Sequence, residues 1–361
     1  MKCYVHGSFM NDNFGDFLLY DIIVDYLVKN YPEIDVFSSN VSPTYDSLQQ
    51  VVRKEKNIVA REATIAILGG GGYFGQPGRA ILDQQWNYKF LRNHGNVLLE
   101  LVKLEIPYII IGAGVGPISW SKGRKVAKEI FENANYVVVR DKESFDYCKN
   151  VLKVEREINV LPDLVMGCNI EKYIDHSLDI KLPSNKTNIA IHLTTKNKKN
   201  GKGIDLVLND IKKYYLANKK NTHFNIICDQ KSEKQVTRAN EIANLFDQDD
   251  VTVFQYGGPY HLTTALSKMD LIITDKLHVG IVGTKLGKHV ISVSSHVKIG
   301  RFYNQMNREK YSVRLKDIEK NHIFTLLEKY PWELNNINPM EEKAHGYYKI
   351  IDDFILTSKD N

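Results

Sequence analysis

The chain is short of the features that would narrow its chemistry at once. Only four cysteines occur in 361 residues, and Cys3, Cys148, Cys168 and Cys228 lie far apart with no CxxC, which argues against a zinc site and a disulfide framework. No segment approaches the run of about eighteen apolar residues that spans a bilayer. The opening "MKCYVHGSFMNDNFGD" has no apolar stretch of the secretory kind, so a reducing cytoplasm is the expected setting. Excess charge is also scarce: 48 basic against 43 acidic residues leave +5, spread along the chain. That is too little to argue for nucleic acid, although it suits anionic ligands or an anionic membrane surface. Hydrophobic content of 43% and charged content of 25% are ordinary globular values, and this length predicts two domains.

What is present is a repeated alternation of short apolar runs with amphipathic ones, the pattern of parallel α/β layers. Candidate strands are Cys3–Gly7, Ile34–Phe37, Thr64–Leu68, Tyr108–Gly112 and Tyr136–Val139. A second set is Asn188–Leu193, His223–Cys228, Val251–Gln255, Leu271–Thr274 and His289–Val293. Blocks such as "YIIIG" and "YVVVR" suit strands covered on both faces, and "DFLLYDIIVDYLVKN" (16–30) has apolar residues at helical spacing. Between the sets periodicity is lost and Pro162 and Pro183 appear. The predicted organisation is a Rossmann-like domain over residues 1–170, a linker over 171–187, a second Rossmann-like domain over 188–335, and a C-terminal helix over 336–361 that could lie back on the first domain. Two such domains facing across a cleft would bind ligands at the carboxyl ends of their strands, and the notable motifs do follow strands.

In the first half, Asn13, Gly15 and Asp16 form N-x-G-D at a helix start, where Asp16 can cap and Gly15 permits close approach. The motif reads equally as a plain cap or as an acceptor site with a carboxylate able to take a hydroxyl proton. "ILGGGGYFG" (67–75) sets four glycines directly after an apolar strand, marking either a tight turn between packed layers or a place where a ligand or another backbone comes very close. No Lys-Ser/Thr follows, which disfavours a nucleoside triphosphate. "IIIGAGVGPIS" (109–119) contains Gly112, Gly114 and Gly116, but Pro117 ends the run where a dinucleotide site needs a helix, so it reads against NAD. "YVVVRDKES" delivers Arg140 at a strand's end, free to grip a carboxylate or phosphate or to pair locally with Asp141 or Glu143.

In the second half, "TTKNKKNGKGID" (194–205) is a basic loop that reads as a solvated surface. In "LIITDKLHVGIVGTKLG", Thr274 or Asp275 is placed to cap a helix whose first turn carries Lys276 and His278, a position that favours anions. "VISVSSHVKIGRF" repeats the arrangement and presents Ser294, Ser295, His296, Lys298 and Arg301. Two cationic junctions after neighbouring strands are the chain's best candidate for an anion site.

These motifs, "NFGD", "GGGGYFG", "GAGVGP", "VVRDKES", "LPD", and "LHVGIVGTKLGKHVISVS" followed by "KIGRF", come in the order of the polysaccharide pyruvyl transferase family, which the sequence resembles over residues 13 to about 302. The resemblance implies a GT-B-like fold. It also implies phosphoenolpyruvate as co-substrate, no other cofactor and no metal, and an acceptor sugar with two suitably placed hydroxyls. It matches Arg140 to the family's arginine in R-D-x-E-S, Lys276-Leu277-His278 to its R-L-H, and Lys298 to its lysine after the next strand. Lys276 departs from the family, since lysine keeps the charge of arginine but loses the planar fork.

On this reading Arg140, Lys276, Lys298, Arg301, Ser294 and Ser295 bind the donor, His278 is the general acid and Asp16 the base. Asn13, Gly15, Gly70, Gly71, Gly72, Tyr73, Phe74 and Gly114 face the acceptor, with Tyr73, Phe74 and Trp86 able to stack on a sugar. A lipid-linked acceptor would hold the enzyme peripherally at the inner membrane face. Two rivals remain open: a sugar-nucleotide glycosyltransferase, with Asp229 or Asp275 on the ribose, and a catalytically weak sugar- or anion-binding homologue.

Overall fold

The structure, a computed structural model, describes residues 1–9, 13–39, 52–53, 56–76, 80–194, 201–294 and 297–359. The chain divides into two compact units, residues 1–168 with 338–361, and residues 169–337.

The first unit holds a parallel sheet of β1 (Lys2–His6), β2 (Asp35–Ser38), β3 (Val52–Arg53), β4 (Ile65–Leu68), β5 (Gly71–Phe74), β6 (Tyr108–Val115), β7 (Tyr136–Val139) and β8 (Asn159–Val160). Its order is β3-β2-β1-β4-β6-β7-β8, with β5 paired to β6. The order reverses between β1 and β4, where Cys3 pairs with Ile65 and His6 with Leu68. Every residue of β6 is buried, which is why that run carries no polar alternation. The helix Phe14–Asn30 follows β1, and its cap is Asn13, whose side chain accepts from the Gly15 and Asp16 amides at 3.0 and 3.3 Å. Asp16, expected as the cap, lies inside the first turn, where its charge suits the helix dipole.

The glycine run is not a turn alone. After Gly69 and Gly70 the chain forms β5, and Gly71 at φ +121° pairs with Ala113 while Phe74 pairs with Val115. A Cβ on Gly70 would stand 3.0 Å from the Gly112 carbonyl oxygen. The glycines of both motifs thus let two backbones meet. Behind them Phe74, Phe90 and Phe131 form the core, with Phe74 and Phe131 edge to face at 4.9 Å.

The C-terminal segment forms two helices, Asn338–Ala344 and Gly346–Lys359. Tyr347, Ile351, Phe354 and Ile355 are buried in the first unit, and the Tyr26 and Tyr31 hydroxyls donate to Asp352 at 2.7 and 2.6 Å.

The second unit contains β9 (Thr187–His192), β10 (Thr222–Ile227), β11 (Val251–Phe254), β12 (Leu271–Thr274), β13 (His289–Ser294) and β14 (Ser312–Arg314) in the order β11-β10-β9-β12-β13-β14. All its pairings are parallel, and the order reverses between β9 and β12. This is the doubly wound Rossmann arrangement. Residues 171–187, read as a linker, group with this unit. Tyr173 stacks on Tyr260 at 5.6 Å and the Asp175 amide donates to Thr264 Oγ1 at 2.8 Å, so the segment is docked. The short strands β3, β8 and β14 escaped the sequence reading because two or three residues carry no period.

Candidate functional site

In the second unit, two loop–helix junctions follow the neighbouring strands β12 and β13. The first leads from Thr274 through Asp275 to Lys276, which occupies the cap position of the helix Leu277–Lys285. No side chain caps that helix: neither Thr274 nor Asp275 fills the expected role. Thr274 Oγ1 accepts from the Lys276 amide at 3.0 Å, while Asp275 accepts from the Thr194 amide at 2.9 Å and so ties the end of β9 to the end of β12. His278 sits half-buried in the first helical turn and Lys276 is one-third exposed. The second junction runs from Ser294, buried at the end of β13, to the helix Val297–Asn304 with exposed Lys298 and half-buried Arg301. A Cβ on Gly280 would lie 2.7 Å from the Tyr303 hydroxyl, so these two helices run against each other. The fold therefore places Lys276, His278 and Lys298 at two adjacent helix starts after neighbouring strands of one sheet, with Arg301 in the last turn of the second helix. Ser295, His296 and residues 195–200 of the basic loop lie outside the described residues.

A buried polar group stands behind Lys276. Asp229, just after β10, is 2% exposed, and its Oδ2 lies 3.8 Å from Lys276 Nζ. Its Oδ1 is 3.3 Å from His192 Nε2 and accepts from Gln235 Nε2 at 2.5 Å. His192 closes β9, is fully buried, and meets Thr274 Oγ1 through Nδ1 at 3.1 Å. Burial by itself would raise the Asp229 carboxyl, but the charges of His192 and Lys276 and the Gln235 bond outweigh it and hold the group well below the usual carboxylate range. Asp229 and Asp275, the two carboxylates considered for a ribose, are thus both engaged by the protein.

In the first unit, Asp16 is brought beside the glycine run: a Cβ on Gly71 would be 3.4 Å from Asp16 Oδ1. Asn13, Gly15, Gly70 and Gly71 gather at the same carboxyl end of β1 and β4, and Gly72 is exposed there. Tyr73 and Phe74 are 4% and 0% exposed. Tyr73 donates its hydroxyl to the Gly69 carbonyl at 3.0 Å and Phe74 faces Phe90, so both rings are core and neither is a platform for a sugar. Strand alternation alone would send these consecutive residues to opposite faces; both are buried because protein covers the strand at each position. Trp86 lies flat on Phe90 at 5.1 Å and is half-buried.

Gly114, expected to face the acceptor, instead makes room for Arg140. A Cβ there would fall 2.6 Å from the Arg140 guanidinium. Arg140 is 6% exposed, with Nε 3.8 Å from Asp141 and Nη1 3.5 Å from Asp163. Asp141 also accepts the Ser144 amide at 2.7 Å at the start of the helix Lys142–Tyr147. The "RD" and "LPD" motifs therefore meet in one buried cluster, joined by Tyr347, whose hydroxyl is pushed up by burial and by Asp163.

Sequence reasoning missed His192 and His6, and it weighed Asp229 only for a ribose. A signal existed: "NIAIH" and "CYVH" each end an otherwise apolar strand with a histidine, and both are the first strand of their sheet. A buried polar side chain in that position needs a partner. Among the described residues, no three His, Cys, Asp or Glu side chains form a metal-ligand group, and no helix is long and apolar enough to cross a membrane.

Two parallel α/β sheets, each with strand order reversing at its centre and polar residues gathered at the carboxyl ends, define a GT-B-like fold of two Rossmann-like domains. The fold is shared with UDP-GlcNAc 2-epimerase of Methanocaldococcus jannaschii, 11% identical over 98% of this chain and 99% of that one, TM-score 0.63. The UDP-GlcNAc-bound 2-epimerase of Neisseria meningitidis is 14% identical over 99% and 100%, TM-score 0.59. A glycosyltransferase of Rickettsia africae is 13% identical over 99% and 93%, TM-score 0.54. No curated protein sequence matches the chain. Residues 13–297 match the polysaccharide pyruvyl transferase family, and the chain belongs to that family of transferases.

Proposed function

We propose that the protein transfers the pyruvyl group of phosphoenolpyruvate onto two hydroxyls of a sugar in a bacterial surface polysaccharide or its precursor, giving a pyruvate ketal. The observation that carries this reading is the pair of cationic junctions, Lys276–His278 and Lys298–Arg301, after neighbouring strands in a member of this family. Phosphoenolpyruvate has two anionic ends. Lys276, Lys298, Arg301, Ser294 and the amides at the start of Leu277–Lys285 hold them, since an uncapped helix N-terminus favours an anion. Asp229 keeps the Lys276 ammonium in place, in part replacing the rigidity of the arginine fork.

His278 donates a proton to the methylene carbon, a task suited to an imidazole near neutral pH. The cation that develops at the adjacent carbon is attacked by a sugar hydroxyl, phosphate leaves, and the second hydroxyl closes the ketal. His278→Ala leaves folding intact and lowers turnover by at least about 100-fold, the usual contribution of a general acid. A folded His278→Ala protein with wild-type turnover overturns the assignment.

A second reading, a sugar-nucleotide transferase, is favoured by the whole-chain fold likeness to UDP-GlcNAc 2-epimerases. Both readings put a donor phosphate at the same helix start. The engaged Asp229 and Asp275 weigh against a ribose anchor. Thermal-shift measurements with phosphoenolpyruvate, UDP-sugars and GDP-sugars separate them, followed by phosphate release against a panel of acceptor glycans with mass spectrometry of the products. Stabilisation by a nucleotide sugar and none by phosphoenolpyruvate selects the second reading.

A further inference from the structure

We propose that His192 is a positioning residue for donor binding, which locks Lys276 at both ends, its backbone through Thr274 and its ammonium through Asp229; this rests on the pyruvyl-transfer reading. All four residues belong to the second unit. His192 closes β9 at the point where the order of that sheet reverses, the place where open α/β sheets take their ligands. Its side chain is fully buried, with Nδ1 3.1 Å from Thr274 Oγ1 and Nε2 3.3 Å from Asp229 Oδ1. The same two residues reach Lys276. Thr274 Oγ1 accepts from the Lys276 amide at 3.0 Å, and Asp229 Oδ2 stands 3.8 Å from Lys276 Nζ.

The sheet explains why His192 touches both. β9 lies between β10 and β12, and His192 is in register with Thr274 at the end of β12. The residue that closes the middle strand is therefore beside what closes or follows either neighbour, and the contacts form a circuit that begins and ends on Lys276. Chemistry fixes one part of it. A bare Nε2 would set its lone pair against a carboxylate oxygen in a buried place, so Nε2 carries a proton and directs it at Asp229. Gln235 Nε2 donates to the same carboxylate oxygen at 2.5 Å, which leaves Oδ2 for Lys276. Nδ1 shares a hydrogen with the Thr274 hydroxyl, whose oxygen also takes the Lys276 N–H.

What the circuit contributes is preorganisation. An anion that must order a flexible lysine on binding loses affinity to that ordering. Here Lys276 is held before the donor arrives, and because it occupies the cap position of the helix Leu277–Lys285, holding its backbone also holds the uncapped helix start. An apolar residue at the end of β9 would fill the same space but would hold neither the carboxylate nor the hydroxyl. A buried imidazole bridging two groups that both reach one cation is more than packing.

The test uses the full chain and phosphoenolpyruvate alone, with affinity read by calorimetry well below the melting temperature. His192→Asn is too short to reach Asp229 and is expected to raise the phosphoenolpyruvate Kd about tenfold. In a Lys276→Gln background the same change is expected to alter Kd less than about twofold, because the side chain it positions is gone, while its effect on melting temperature persists. A wild-type Kd in a folded His192→Asn protein overturns the proposal, and so does a tenfold loss in both backgrounds, the mark of a general packing defect. A second measurement needs no His192 variant. In a histidine-labelled sample, the His192 ring is expected to show a protonated Nε2, and Lys276→Gln to move its nitrogen resonances. A bare Nε2, or resonances that Lys276→Gln leaves in place, overturns the circuit whatever the binding data give. A wild type that binds no phosphoenolpyruvate instead defeats the pyruvyl-transfer reading itself, a result seen before any variant is made.

Discussion

Asp229→Asn removes one charge from behind Lys276 while keeping the side chain's shape. The carboxylate lies 3.8 Å from Lys276 Nζ and 3.3 Å from His192 Nε2. At an effective dielectric of about 20, a unit pair at that separation attracts by about 4 kcal/mol before desolvation is counted. An exposed pair would retain less than about 1 kcal/mol; this one is buried on the acidic side and one-third exposed on the basic side. Breaking a fully buried pair costs about 3–5 kcal/mol, so this intermediate pair is expected to lose about 2 kcal/mol. At about 2–4 °C per kcal/mol for a unit of this size, the melting temperature falls by about 4–8 °C at pH 7.

The pH dependence has a definite sign. Because the folded-state carboxyl is held below its ordinary value of 3.8, its contribution is complete above that value and is lost as pH falls towards the folded-state value. The gap between wild type and variant therefore shrinks by about 1 kcal/mol at pH 3 relative to pH 7. Urea titration at both values measures it. An unchanged midpoint at pH 7, or a gap that widens on acidification, refutes the account of Lys276 as anchored by Asp229.

Lys276→Arg restores the planar fork that the family resemblance leads one to expect at this position; it should lower the phosphoenolpyruvate Kd severalfold in calorimetry, and an unchanged Kd would remove Lys276 from the donor contacts. Gly114→Ala pushes a methyl to 2.6 Å from the Arg140 guanidinium, an overpacking worth about 1–3 kcal/mol, and a variant as stable as wild type in denaturant would show that Arg140 is not held there. Phe74→Ala, at a residue fully buried among Phe90 and Phe131, should cost about 3–5 kcal/mol of stability while leaving the acceptor KM unaltered in an active sample; a raised KM with normal stability would return Phe74 to the acceptor site.

Much of the architecture was legible because its signals are local. The blocks at Tyr108 and Tyr136 have no polar alternation, so they had to be covered on both faces, and they form β6 and β7. The glycines of the two first-half motifs were marked as places of close approach, and they are. What approaches could not be read: Gly70 meets the Gly112 backbone and Gly114 meets a guanidinium, each from a different strand. Tyr73 and Phe74 were misjudged for a related reason. Their neighbours made the segment look like a turn, and only its pairing with β6 turns both rings into the core. At the helix starts the error was smaller, one of which polar residue caps: Asn13 in place of Asp16, and no side chain at all before Leu277.

Hydrophobic period and backbone sterics act over a few residues, and for that reason the sequence alone determined the α/β class, the two Rossmann-like domains and the position of cationic residues after β12 and β13. The partnerships needed tertiary structure. Arg140 with Asp163, Lys276 with Asp229 and His6 with His94 are far apart in sequence. Two of the three meet because crossover connections bring the carboxyl ends of strands from separate parts of the chain to one edge of a sheet, and His6 meets His94 through a helix packed against that edge. Buried charges and imidazoles are tolerated there only when such partners arrive.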